Sequence, residues 1–132
     1  MNLDEAAKLS HSDWQQLATT LKKSAETRLY IGGEFVDAIE GGTFENICPV
    51  DGSVMNNCAA GKAADIDKAV AIAKASFKSG EWSRMAPRER MAVMYKWADL
   101  IGKNGAELAL MDTLDMGKPI SDMVGVDIPM CI

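Results

Sequence analysis

"TFENICPVDGSVMNNCAAGKAADIDKAVAIAKASF", residues 43–77, changes its period part-way along. Thr43 to Ile47 and Ser53 to Ala59 are β-rich runs flanking Pro49-Val50-Asp51-Gly52, a composition that favours a turn. After Gly61 the apolar residues Ile66, Ala69, Val70, Ala73 and Phe77 recur at i, i+3, i+4, i+7 and i+11, which is one face of an amphipathic helix. Asp65 and Asp67 sit near its start, where the helix dipole favours carboxylates. A hairpin followed by a helix is expected, and both patterns extend outward.

Upstream, "RLYIGGEFVDA" (28–38) places two β-rich runs around Gly32-Gly33, a pair that tolerates the positive φ angles of a tight turn. Ahead of it Ser12-Asp13-Trp14-Gln15 fits a capping box, so a helix is expected to start there. Its residues Trp14, Leu17, Ala18 and Leu21 share one face, which must dock on another part of the fold. Downstream, Gly80 ends the first long helix, and Pro87 opens a second with a stripe of Met91, Met94, Tyr95, Ala98 and Ile101. A third runs from Ala106 to about Leu114, with Leu108, Met111 and Leu114 as its apolar residues. Gly117 caps it, and Pro119 forbids simple continuation. The methionines of these stripes read as core filler rather than as a ligand surface.

A formal net charge of -5 and scattered Lys and Arg oppose general affinity for nucleic acid, which needs clustered positive charge. No apolar run approaches the ~20 residues of a membrane span, and the start lacks the basic and apolar regions of a secretory signal, so a cytoplasmic location is expected. Cys48, Cys58 and Cys131 lack CxxC spacing, and the single His11 leaves no second imidazole for a zinc site.

Motifs of catalysis are missing. Gly117-Lys118 fails as a phosphate loop, because Asp112 occupies the position of the first glycine and Pro119 follows the lysine. No G-x-G-x-x-G follows a strand. Cys48 precedes a proline and Cys58 lies in a strand without a neighbouring base, so both read as structural thiols. His11 sits in what reads as a helix cap, and the carboxylates alternate with Lys and Arg as on a solvated face.

The overall pattern is more informative. "RLYIGGEFVDA", "TFENICPVDGSVM", "DIDKAVAIAKASF", "EWSRMAPRERMAVMYKWADLI" and "ELALMDTLDMGKPISD", in that order, resemble the N-terminal quarter or so of an aldehyde dehydrogenase, from roughly Leu29 to Pro129. "TFENICPVDG" resembles the family's strand-to-turn segment, and "TLDMGKP" matches its Leu-Asp-x-Gly-Lys-Pro signature. "GKAADIDKA" and "GEWSRMAP" look most like the branch acting on aminoaldehydes such as γ-glutamyl-γ-aminobutyraldehyde.

The resemblance implies an α/β parent fold, of which this segment is short antiparallel hairpins followed by three amphipathic helices. It divides the chain into a lead-in helix, 1–27, and the N-terminal part of a cofactor-binding domain, 28–132, truncated. It implies oxidation of aldehydes to acids with NAD or NADP in a homo-oligomer. There a cysteine thiolate attacks the aldehyde, hydride passes to nicotinamide, and a glutamate-activated water releases the acid. The family's Gly-Gln-x-Cys nucleophile segment and its cofactor-contacting segments have no counterpart in these 132 residues. The resemblance also implies a monovalent cation, Na+ or K+, held by the backbone carbonyls of Asn46 and Ile47 and by the Asp115 carboxylate, with a further ligand elsewhere. A turn aspartate that binds backbone amides is the alternative for Asp115.

Two readings follow. The first is an inactive N-terminal fragment whose apolar faces need the remainder of the aldehyde dehydrogenase fold. The second is a stand-alone, non-catalytic interaction module that retains the scaffold. An isolated chain of this pattern is expected to expose large apolar patches, which counts against the second.

Overall fold

A computed structural model describes residues 1–132. In chain order the elements are α1 (Leu3–Ala6), α2 (His11–Ser24), β1 (Leu29–Ile31), β2 (Glu34–Val36), β3 (Thr43–Ile47), β4 (Val54–Ala59), α3 (Ala63–Ser79), α4 (Pro87–Lys103) and α5 (Gly105–Met116). Two short helices, α6 (Ile120–Asp122) and α7 (Ile128–Met130), flank a π-helical turn, Met123–Asp127. The expected hairpins and three long helices are all present.

Each hairpin forms its own two-stranded antiparallel sheet. In the first, Leu29 pairs with Val36 and Ile31 with Glu34, and Gly32 and Gly33 turn the chain at φ 70° and 90°. In the second, Thr43 pairs with Ala59 and Asn46 with Asn56, but Ile47 pairs with Val54. The register therefore shifts between Asn46 and Ile47, as at a β-bulge.

Helix α5 is the organising element. Ala106, Ala109 and Leu110 are buried, and Met123 and Ile128 close over Ala109, with Leu3 and Ile101 packed against this cluster. Small residues on α5 let its neighbours approach closely. At Gly105 a Cβ would lie only 2.7 Å from Leu3 Cδ2. Helix α2 docks on α5 and β4, as its apolar stripe requires. Gly117, at φ 75°, ends α5 in a left-handed cap that only glycine adopts at little cost. Across Pro119, Lys118 forms an ion pair with Asp127 on the π-helical turn and so ties the two sides of the break.

Three expectations are corrected. The second helix is capped by Ser10 rather than Ser12. The Asp13 carboxylate accepts the Ser10 amide at 2.8 Å and its hydroxyl at 2.6 Å, and a charged acceptor outcompetes the neutral amide of Gln15. Asp65 is not on a solvated face but is 2 % exposed. The methionine stripe is not core within this chain, since Met91 and Met94 are about half exposed.

The exposure of α3 and α4 is general. Val70 is 59 % exposed and Phe77 72 %, and α3 touches the rest of the chain through its first turn and the β1–β2 hairpin. No helix is long and apolar enough to cross a membrane.

Candidate functional site

The second hairpin and the end of α5 meet at one corner. Pro49, in the β3–β4 turn, seats its Cγ 3.2 Å from where a Gly117 side chain would begin, so the turn rests on the helix terminus. The turn is internally fixed. The Cys48 amide donates to Ser53 O at 2.8 Å, and the Gly52 amide donates to Cys48 O at 2.9 Å. Asp51 Oδ1 accepts the Ser53 hydroxyl and amide at 2.7 and 3.0 Å. These bonds, with the Cys48 thiol and despite desolvation, hold the Asp51 carboxyl at about 2.

That rigid corner brings two of the three sequence-selected residues together. Asn46 Nδ2 donates to Asp115 Oδ1 at 2.9 Å, across 69 residues of chain. Ile47 follows at the register shift and pairs with Val54, so the extra residue of the irregularity is Met55 on β4. The Ile47 side chain faces solvent, so only its backbone is available to the site. A cavity of about 90 Å³ adjoins the pair, with Lys22 and Leu21 of α2, Asn56 and Cys58 of β4, and Met111 of α5 in its wall. The side-chain contact of Asn46 was missed because the family resemblance singles out only its carbonyl. A bond between residues 69 positions apart leaves no local signal in the sequence.

The remaining candidates are not gathered into a catalytic group. Cys48 is buried beneath the turn, Cys58 donates weakly to Asn56 Oδ1 at 3.5 Å, and Cys131 is exposed at the far end of the chain. His11 begins α2, while Asp13 beside it is occupied by the cap, and those bonds from Ser10 lower its carboxyl pKa. No three of His, Cys, Asp and Glu cluster as metal ligands.

This arrangement of two hairpins, an exposed helix pair and a buried central helix has close counterparts. The profile of the Aldehyde dehydrogenase family matches residues 35–132. The NADP/NAD-dependent aldehyde dehydrogenase PuuC of Escherichia coli (strain K12) is 44 % identical over 116 residues, which are 88 % of this chain and 23 % of that protein. An indole-3-acetaldehyde dehydrogenase of P. syringae, solved with NAD+ and IAA, is 50 % identical with a TM-score of 0.87, over 92 % of this chain and 24 % of the other. The γ-glutamyl-γ-aminobutyraldehyde dehydrogenase of Burkholderia cenocepacia J2315 is 42 % identical at the same TM-score, with the same shares covered. The chain belongs to the aldehyde dehydrogenase family, an oxidoreductase family of α/β fold. It spans about a quarter of the length of these relatives.

Proposed function

We propose that these residues are the N-terminal, cofactor-side part of an NAD(P)+-dependent enzyme that oxidises aldehydes to carboxylic acids, and that by themselves they are inert. The observation that carries this reading is the pair of unpartnered apolar faces on α3 and α4, in a chain that otherwise superposes on NAD+-using relatives. Such faces are covered in a stable protein, and the remainder of the family fold supplies the cover. Residues 1–27 form the lead-in and 28–132 the cofactor-side segment. The assembled enzyme is a cytoplasmic homo-oligomer, and aminoaldehydes are a substrate class in keeping with the Burkholderia relative.

In that enzyme the nicotinamide cofactor accepts hydride, while the nucleophilic cysteine and the water-activating glutamate come from outside these residues. The contribution made here is scaffolding. The rigid turn, α5 and the Asn46–Asp115 bond fix one corner against which the catalytic parts are held. The carbonyls of Asn46 and Ile47 and the Asp115 carboxylate are a hard oxygen set suited to Na+ or K+.

The test is replacement. The matching N-terminal region of the E. coli relative is exchanged for residues 1–132, and nicotinamide reduction is followed with an aminoaldehyde. A soluble chimera that oxidises the aldehyde is expected. A soluble, folded chimera that binds neither cofactor nor aldehyde would sink the reading.

A further inference from the structure

The Asp115 carboxylate already has a partner. Asn46 lies on β3 and Asp115 on the last turn of α5, and the amide Nδ2 donates to Oδ1 at 2.9 Å. The orientation of that amide is settled by chemistry, because an ionised carboxylate accepts and cannot donate, so the NH2 end must face Asp115. Charge-assisted bonds of this kind are stronger than neutral ones. The partner is also well held, since Asn46 is half-buried beside a hairpin turn braced against the α5 terminus.

We propose that in this protein the Asn46 side-chain amide, rather than a monovalent cation, is the resident partner of Asp115 Oδ1, and that a cation competes with it for that oxygen. This rests on the cation reading given above. The backbone carbonyl and the side-chain amide of Asn46 then act in opposition: the first is an oxygen ligand for the ion, the second is its competitor for the only carboxylate of the set. Two independent effects follow. Cation affinity is lowered by the strength of the displaced bond, and the corner keeps its shape when no cation is bound.

The opposition can be dissected because substitution at position 46 removes the amide and leaves the carbonyl. The full chain, Asn46→Thr, Asn46→Ala and Asp115→Asn are melted in KCl, NaCl or tetramethylammonium chloride at matched ionic strength. The Asn46 NH2 resonances of the 15N-labelled chain are titrated with the same salts. In tetramethylammonium the NH2 protons are expected to be protected from exchange, and K+ or Na+ should shift them and release that protection. The half-saturating K+ concentration should fall by about threefold in Asn46→Thr and Asn46→Ala, the scale of a solvent-exposed bond to a charge, and Asp115→Asn should show no specific response. Thr is included because it suits a strand, should Ala unfold the hairpin. If the full chain and both Asn46 variants share one half-saturating concentration while Asp115→Asn is silent, the cation reading stands and the competition is overturned. If no chain distinguishes K+ or Na+ from tetramethylammonium and the NH2 signals stay fixed, both are overturned.

Discussion

Asp65, at the start of α3, accepts the backbone amide of Ile39, 26 residues earlier, at 3.0 Å, and the amide of Lys62 at 2.9 Å. One buried carboxylate therefore fixes both the helix start and the segment joining the two hairpins.

Acid should loosen this joint. The Lys62 and Ile39 amides, in that order, lower the Asp65 carboxyl below its ordinary 3.8, against the opposing effect of desolvation. A depressed folded value means that the stabilisation is complete above the unfolded value and is lost as pH falls through the folded one. Glu26, held at about 2 chiefly by the Arg28 guanidinium, acts in the same direction. Urea melts between pH 6 and 2 should show a shallower acid limb for Asp65→Asn than for the wild type, and Asp65→Ala should be less stable than either at neutral pH. Identical acid limbs would show that Asp65 titrates as it does in the unfolded chain.

Gly105→Ala should cost about 1–3 kcal/mol through overpacking, because the new methyl would meet Leu3 Cδ2 at 2.7 Å and Cγ at 2.9 Å. Leu3 belongs to a one-turn helix, so the strain should be relieved by undocking α1. Amide exchange at Ala6 and Ala7, bonded to Asn2 O and Leu3 O, reports that step. Leu3→Ala with Gly105→Ala should recover most of the loss. A double variant no better than the single one would place the strain elsewhere.

Phe77→Ser and Val70→Ser should change the stability of these 132 residues by less than about 0.5 kcal/mol, as exposed substitutions do. In the chimera with the E. coli relative the same changes should cost about 1.5–3 kcal/mol each, the value of a large apolar side chain taken out of water. Paired denaturant melts decide the matter. Equal effects in both settings would mean that the α3 face has no partner in the assembled enzyme.

Cys48→Ser and Cys58→Ser should leave the aldehyde-oxidising rate of the chimera within about twofold of its parent, since Cys58 has no base beside it and the carboxylate beside Cys48, Asp51, is made a weak base by its bonds from Ser53 and opposes a second negative charge. The unassembled residues should reduce neither NAD+ nor NADP+ above buffer. A rate abolished by either substitution in a folded chimera would make that thiol part of the chemistry.

Much of the fold could be read from local chemistry. Gly32-Gly33, Pro87 and Gly117 each impose a backbone geometry on their own, and each marks a boundary that the structure keeps. Helix α1 escaped because four residues carry no period, and its only mark is the Asn2–Glu5 capping pair. The π-helical turn escaped because its bonding is set by how Met123 and Ile128 close over Ala109. At the site, Asp115 and Asn46 were selected through family wording, whereas their direct bond joins distant segments and has no local signature. Asp65 was misjudged for the same reason, its second partner being Ile39. The α3 and α4 stripes were located correctly, but periodicity says which residues share a face and not what covers it.

The sheets carry one more consequence. Each has only two strands, so neither has an inner strand and no strand is ladder-paired along both sides, although the Ala59 amide at the outer edge of β4 donates to Thr27 O. With three residues per strand the first hairpin offers little to a visitor, but β3 and β4, at five and six residues, form a longer template on which an extended segment could add as a third strand. Crowding these residues without their cover would then join molecules in two chemically separate ways: through helix faces, weakened by detergent, and through hydrogen-bonded strand addition, which detergent leaves intact.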